Sequence, residues 1–129
     1  MKNIILSFLL IILLHSCKKD EYSPEGPTDI RIRNLSEVIF KEVIVNTSGG
    51  IDTISIIGPG GVSEYHRFRK AFQKAEISAE IDGITFSTGP VDYTYLHYLS
   101  TVKATYEVHV QNFGLRKLAI IDVKLDSEL

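Results

Sequence analysis

Apolar and polar residues alternate one for one along much of this chain. Ile30 and Ile32 stand against Arg31 and Arg33, Ile54 and Ile56 against Thr53 and Ser55, and Ala75, Ile77, Ala79 and Ile81 against Glu76, Ser78 and Glu80. Successive side chains of a strand point to opposite faces, so this period of two marks strands with one buried face. The pattern predicts strands from Thr28 through Arg33, over 51–57 and 75–81, around Ile84 and Phe86, over 105–111 with Tyr106, Val108 and Val110, and over 118–125 with Ala119, Ile121, Val123 and Leu125. Residues 38–46 are apolar on both parities, and Phe40, Val43 and Val45 are best read as one face interrupted by a bulge. Asn34-Leu35-Ser36, Ser48-Gly49-Gly50 and Gly58-Pro59-Gly60-Gly61 separate the early strands. Asp82-Gly83 is a two-residue hairpin signal, and Asn112-Phe113-Gly114 joins the last two strands. Short strands separated by turns predict an all-β fold: a small antiparallel β-sandwich, immunoglobulin-like or transthyretin-like, of about seven strands over residues 28–129.

Residues 63–79 support two readings. Tyr65, Phe68, Phe72, Ala75 and Ala79 recur at helical spacing among good helix formers. The clean alternation of residues 75–81 into the Asp82-Gly83 turn requires a strand there. A strand over 63–68 with a bend at 69–72 follows, a short helix at 63–74 being the other reading.

The alternation fails altogether at residues 4–14, an apolar run broken only by Ser7 and preceded by Lys2. It is too short to span a bilayer and has the length of a secretory signal core. Leu14-His15-Ser16-Cys17 closes it, and Cys17 is the only cysteine of the chain. This ending resembles the lipobox of bacterial lipoproteins, in which cleavage before the cysteine leaves a thiol that carries diacylglycerol. Leu14 and Ser16 fit that pattern, and His15 departs from it. An ordinary signal peptide with a chance cysteine would more often carry small residues at both the first and the third position before the cut, and an uncleaved segment would leave a short hydrophobic anchor. The resemblance implies a signal peptide over 1–16 and a lipidated Cys17 followed by a tether to residue 27, with Pro24, Gly26 and Pro27 among charged residues. Two or more acyl chains hold stably where one holds marginally. Lipid on Cys17 is the only covalent group implied; no other cofactor is.

Lys18-Lys19-Asp20-Glu21 follows the cysteine. It resembles the lysine-then-acidic tag of surface-exposed lipoproteins of the Bacteroidota, which implies the outer face of the outer membrane; a solvated tether on a periplasm-facing lipoprotein is the other reading. The resemblance extends further. A strand at Arg31, the Asn34-Leu35-Ser36 turn with Phe40, Val43 and Val45, the spacing Gly60, Ser63, Tyr65, Phe68, and Pro90, Asp92, Tyr93 are similar to small single-domain lipoproteins of the same group. These are packing and turn residues, so the resemblance implies a β-sandwich and an address, and no chemistry.

Loss of residues 1–16 leaves 113 of the 129 residues, one domain's worth, with 13 basic against 16 acidic residues and a net charge of −3. That balance argues against a nucleic-acid partner, which calls for a strongly basic face. A membrane held through the lipid, and a protein or glycan partner, are the partners expected.

One stretch stands out as a candidate ligand site. Asp92-Tyr93-Thr94-Tyr95-Leu96-His97-Tyr98 gathers three tyrosines and a histidine. If extended, Tyr93, Tyr95 and His97 share a face that could stack on sugar rings while Asp92 accepts hydroxyl hydrogen bonds; half-buried strand tyrosines are the plainer reading. His66, His97 and His109 lack paired-ligand spacing, so no metal site is expected. No Gly-x-Ser-x-Gly elbow occurs, and the acidic residues show no pairing that singles out a glycosidase, so the expectation is a non-catalytic module with a small hydrolase as the remote alternative. The cationic run His66, Arg67, Arg69, Lys70 and Lys74 suits either a solvated face or an anionic headgroup.

Overall fold

A computed structural model describes residues 23–129, and every regular element in that range is a strand. They are β1 (Thr28–Asn34), β2 (Phe40–Asn46), β3 (Ile51–Ile57), β4 (His66–Phe68), β5 (Glu76–Ile81), β6 (Ile84–Ser87), β7 (Val102–Asn112) and β8 (Lys117–Glu128). Cys17 and the Lys18-Lys19-Asp20-Glu21 stretch lie outside the described residues.

The all-β expectation holds, and its details change in three ways. Eight strands form one hydrogen-bonded sheet in the order β3-β2-β5-β6-β8-β7-β1-β4, where about seven in an antiparallel arrangement were expected. The sheet is mixed: β1 runs parallel to β7 from Asp29 opposite Lys103 to Asn34 opposite Val108, and β6 meets β8 in parallel at the single pair Ser87–Lys117. Alternation reports which face a strand buries and carries nothing about its neighbour's direction. The 63–68 strand contracts to β4, with Val62 bridging Arg33 beforehand and no helix after it. The helical spacing of Phe68 and Phe72 arises because the chain bends between two buried aromatic anchors.

The bulge in β2 is real. Its register against β5 shifts between Lys41 and Ile44, with Glu42 at φ 44°, which turns Phe40, Val43 and Val45 to the same interior. At the β5–β6 hairpin Asp82 and Gly83 both take positive φ, as a two-residue turn of this kind requires. The β7–β8 hairpin is wider than expected, its turn running over residues 113–116.

Strands from every part of the sheet contribute to one core. Ile30 and Ile32 of β1, Phe40 and Val43 of β2, Ile77 and Ala79 of β5, Ala104, Tyr106 and Val108 of β7 and Leu118 of β8 are all buried within it. The sheet curls far enough that its edge strands approach: His66 of β4 lies 2.7 Å from the Asp52 carboxylate of β3, and the Arg69 N–H donates to the Gly49 carbonyl at 3.1 Å. The result is a nearly closed barrel.

Two residues of the expected tether, Glu25 and Gly26, contact this body. Glu25 pairs with Arg69 at 2.8 Å, and Gly26 is buried so closely that a Cβ there would lie 2.1 Å from the Arg69 carbonyl oxygen.

Asn34 locks the end of β1. Fully buried, it donates through Nδ2 to the carbonyls of Val38 (2.7 Å) and Ile57 (3.1 Å) and accepts from the Ser36 amide at 2.9 Å. One side chain thus forms the 34–36 turn and joins the ends of three segments. Asn34→Ala leaves buried carbonyls without donors and is expected to lower unfolding stability by about 3 kcal/mol, read by urea denaturation.

Candidate functional site

The aromatic stretch lies in the long connection of residues 88–101, between β6 and β7. Thr88 starts it by bonding to the start of β5: its Oγ1 accepts from the Ile77 amide at 3.0 Å and donates to the Ala75 carbonyl at 3.2 Å. Glu76 then holds the chain from below, accepting from the Val91 amide at 3.1 Å.

Asp92 next turns the chain. Its Oδ1 accepts from both the Thr94 amide (3.0 Å) and the Thr94 hydroxyl (2.6 Å), and these bonds hold the Asp92 carboxyl below its ordinary range. A turn follows in which the Leu96 amide donates to the Tyr93 carbonyl at 3.1 Å. The row Tyr93, Tyr95, His97 expected for an extended strand is therefore not formed, because an aspartate two residues before a threonine satisfies backbone locally and bends the chain.

The rings separate into two roles. Tyr93 and Tyr98 each pack on Phe72 with centroids 5.0 Å apart, and the Tyr93 hydroxyl donates to the Asn46 carbonyl at 3.2 Å. Burial raises the Tyr93 hydroxyl above its usual pKa. Phe72 and Tyr98 form a β-bridge, and the Lys70 ammonium lies over both rings at 5.9 and 5.7 Å. Tyr95, by contrast, is 91% exposed at the tip, with His97 exposed beside it. Of the four residues singled out from the sequence, Tyr95 and His97 face solvent, Tyr93 is a supporting ring, and Asp92 is committed to Thr94.

Below this loop runs an open groove of about 360 Å³ between the 88–92 segment and the start of β8, lined by Lys74, Thr88, Pro90, Asp92, Lys117 and Leu118. Two ammonium groups and one carboxylate give it a mixed polar rim. Among the described residues no group of three or more histidine, cysteine or acidic side chains is placed to hold a metal ion.

The cationic run does not form a patch. His66 pairs with Asp52, which brings that carboxyl below its ordinary pKa; Arg67 grips Asp29 through two bonds of 2.8 and 3.1 Å; Arg69 pairs with Glu25; Lys70 covers Phe72.

A polar lattice on the outer face of β1, β7 and β8 escaped sequence reading. Tyr65 lies between Arg31 (4.8 Å) and Lys103 (5.2 Å) and donates to Asp126 at 2.7 Å, while Thr105 donates to Asp126 at 2.6 Å and accepts from Arg31 at 2.8 Å. Burial would raise the Asp126 carboxyl; the bonds from Thr105 and Tyr65 and the charges of Arg31 and Arg33 outweigh it and leave it lowered. Its members come from four distant segments, and no local spacing announces them.

Comparison with known proteins adds a fold. A protein from Eubacterium rectale solved by NMR matches 85% of this chain and all of its own length, with a TM-score of 0.50 and 14% identity. The likeness is one of fold alone. No family model matches the sequence, and no curated protein matches it.

The division of roles among the rings has a thermodynamic consequence. Tyr95→Ala should leave unfolding stability within about 0.5 kcal/mol of the parent, whereas Phe72→Ala, which removes the ring that Tyr93 and Tyr98 rest on, should cost about 3–5 kcal/mol in urea denaturation.

Proposed function

We propose that this chain is a non-catalytic, lipid-anchored module of the outer membrane that serves as an interaction or accessory subunit. The observation that carries the proposal is Leu14-His15-Ser16-Cys17 at the end of the apolar run 4–14, which resembles a lipobox. In this reading residues 1–16 are a signal peptide, Cys17 carries the lipid, and Lys18-Lys19-Asp20-Glu21 directs the protein to the cell surface in the manner of Bacteroidota lipoproteins. The single pair joining β6 to β8 divides the strands into two sets of four packed over one core, which supports an immunoglobulin-like or transthyretin-like sandwich as the finer description.

Exposure of Tyr95 and His97 at a loop tip braced by Phe72 favours a second reading: stacking on a sugar ring of a surface glycan. The same tip suits contact with a protein, since exposed tyrosines on a rigid base are frequent anchors of interfaces.

Protease shaving of intact cells tests the address. An epitope-tagged native chain should lose its tag signal, while a chain with Lys19, Asp20 and Glu21 changed to alanine should keep it. Protection of both chains would place the domain on the periplasmic side and remove the surface proposal.

A further inference from the structure

β8 is the longest strand and one of its edges is bare. Its 12 residues pair with β7 along one side, but on the other side β6 meets it only at Lys117. Among the described residues no strand follows β8 from Leu118 to Glu128 on that side. A second groove, of about 380 Å³, runs along this edge from Ile120 to Val123, with Gln73 and Lys74 as its far wall. Ile121 is 52% exposed and Leu125 64% exposed, large apolar side chains at a free edge. Unpaired strand edges of this length invite another strand.

The sequence of the edge restricts which strand fits. Register shifts against β7 fall at Ile121 and Asp126, which have no partner on that strand, so the regular portion is Asp122-Val123-Lys124-Leu125. With the bulged Ile121 at its head, this segment is complementary to itself when reversed. With Val123 at the centre, Ile121 faces Leu125 and Asp122 faces Lys124, and each pair occurs twice. Sliding by one position on either side destroys the match: centred on Asp122, two aspartates oppose one another, and centred on Lys124, two lysines do. Intermediate slips would put inward-facing side chains against outward-facing ones. Bulges and charges at an edge ordinarily turn other strands away; here the order of the charges admits one partner in one register.

We propose that β8 pairs antiparallel with β8 of a second copy of this chain about a twofold axis through Val123, extending the sheet across two molecules. Such an interface is isologous and closes on itself, giving a dimer and no fibre. The pairing belongs to the folded sheet, so it stands or falls independently of the anchoring proposed above. Where chains share one membrane surface, confinement raises their effective concentration and favours it.

Charge exchange provides the test, using the full chain in detergent and sedimentation to measure dimer formation. The parent should dimerise with rising concentration. Asp122→Lys alone and Lys124→Asp alone should each weaken the dimer at least tenfold, because like charges then oppose one another. An equimolar mixture of the two variants should form a heterodimer of about parental strength, since each supplies the sign the other lacks. Rescue by mixing separates pairing from damage to the contacts that Lys124 makes with Glu107 and Asp122 of its own chain, which mixing cannot repair. The proposal is overturned if the parent stays monomeric up to about 1 mM, as it would if a strand of another protein were the true occupant. It is equally overturned if either variant pairs like the parent, or if the mixture of folded variants does not recover.

Discussion

The hydroxyl of Tyr106 donates to the Phe72 carbonyl in the middle of the core, and the arrangement of the exposed surface depends on that bond. Tyr106 is fully buried on β7, and burial, with Tyr93 nearby, pushes its hydroxyl far above the ordinary tyrosine range. It therefore stays a neutral donor at any physiological pH. Its acceptor lies in the bent segment between β4 and β5, where regular pairing has stopped and a buried carbonyl has few other partners. Fixing Phe72 fixes what rests upon it: Tyr93 and Tyr98 pack on its ring, the Leu99 amide donates to the Ala71 carbonyl at 2.8 Å, and the 88–101 connection is drawn against the body. Tyr95 is thereby presented on a braced tip.

Charges on the outer face of β1, β7 and β8 are matched within the molecule. Asp29 with Arg67, Arg33 with Glu107, and the Arg31, Tyr65, Thr105, Asp126 lattice leave the outer face of β1, β7 and β8 covered by its own partners. Exposed pairs of this kind contribute little to stability, yet they reduce the charge available to an outside partner. Among the described residues, the Tyr95 tip and the edge of β8 are two features left open to an outside partner.

The sequence makes the strands legible because burial on one face is written residue by residue, and Ile30, Ile54, Ile77 and Tyr106 all lie where their parity puts them. Even the β2 bulge was visible, in the phase change between Phe40 and Val43. Strand order was not visible, since β1 beside β7 joins segments far apart in the chain through backbone bonds that any residue can make. The shared face of Tyr93, Tyr95 and His97 required an extended chain, and the chain bends there: Asp92 and Thr94 carry a turn signal that outweighs the strand preference of three tyrosines. Its spacing groups Tyr65 with Phe68 as a packing residue, whereas Tyr65 lies on the outer face, because its partners Arg31, Lys103 and Asp126 are near only once the sheet has formed.

Amide hydrogen exchange in the parent and in Tyr106→Phe tests most directly whether the Tyr106 hydroxyl braces the exposed loop through Phe72. The Leu99 amide should exchange at least tenfold faster in the variant, beyond any change at the amides of β2 and β3, because the loop opens once the Phe72 carbonyl loses its donor. Equal protection of Leu99 in the two proteins, with the strands unchanged, would contradict that dependence and leave the loop held by ring packing alone.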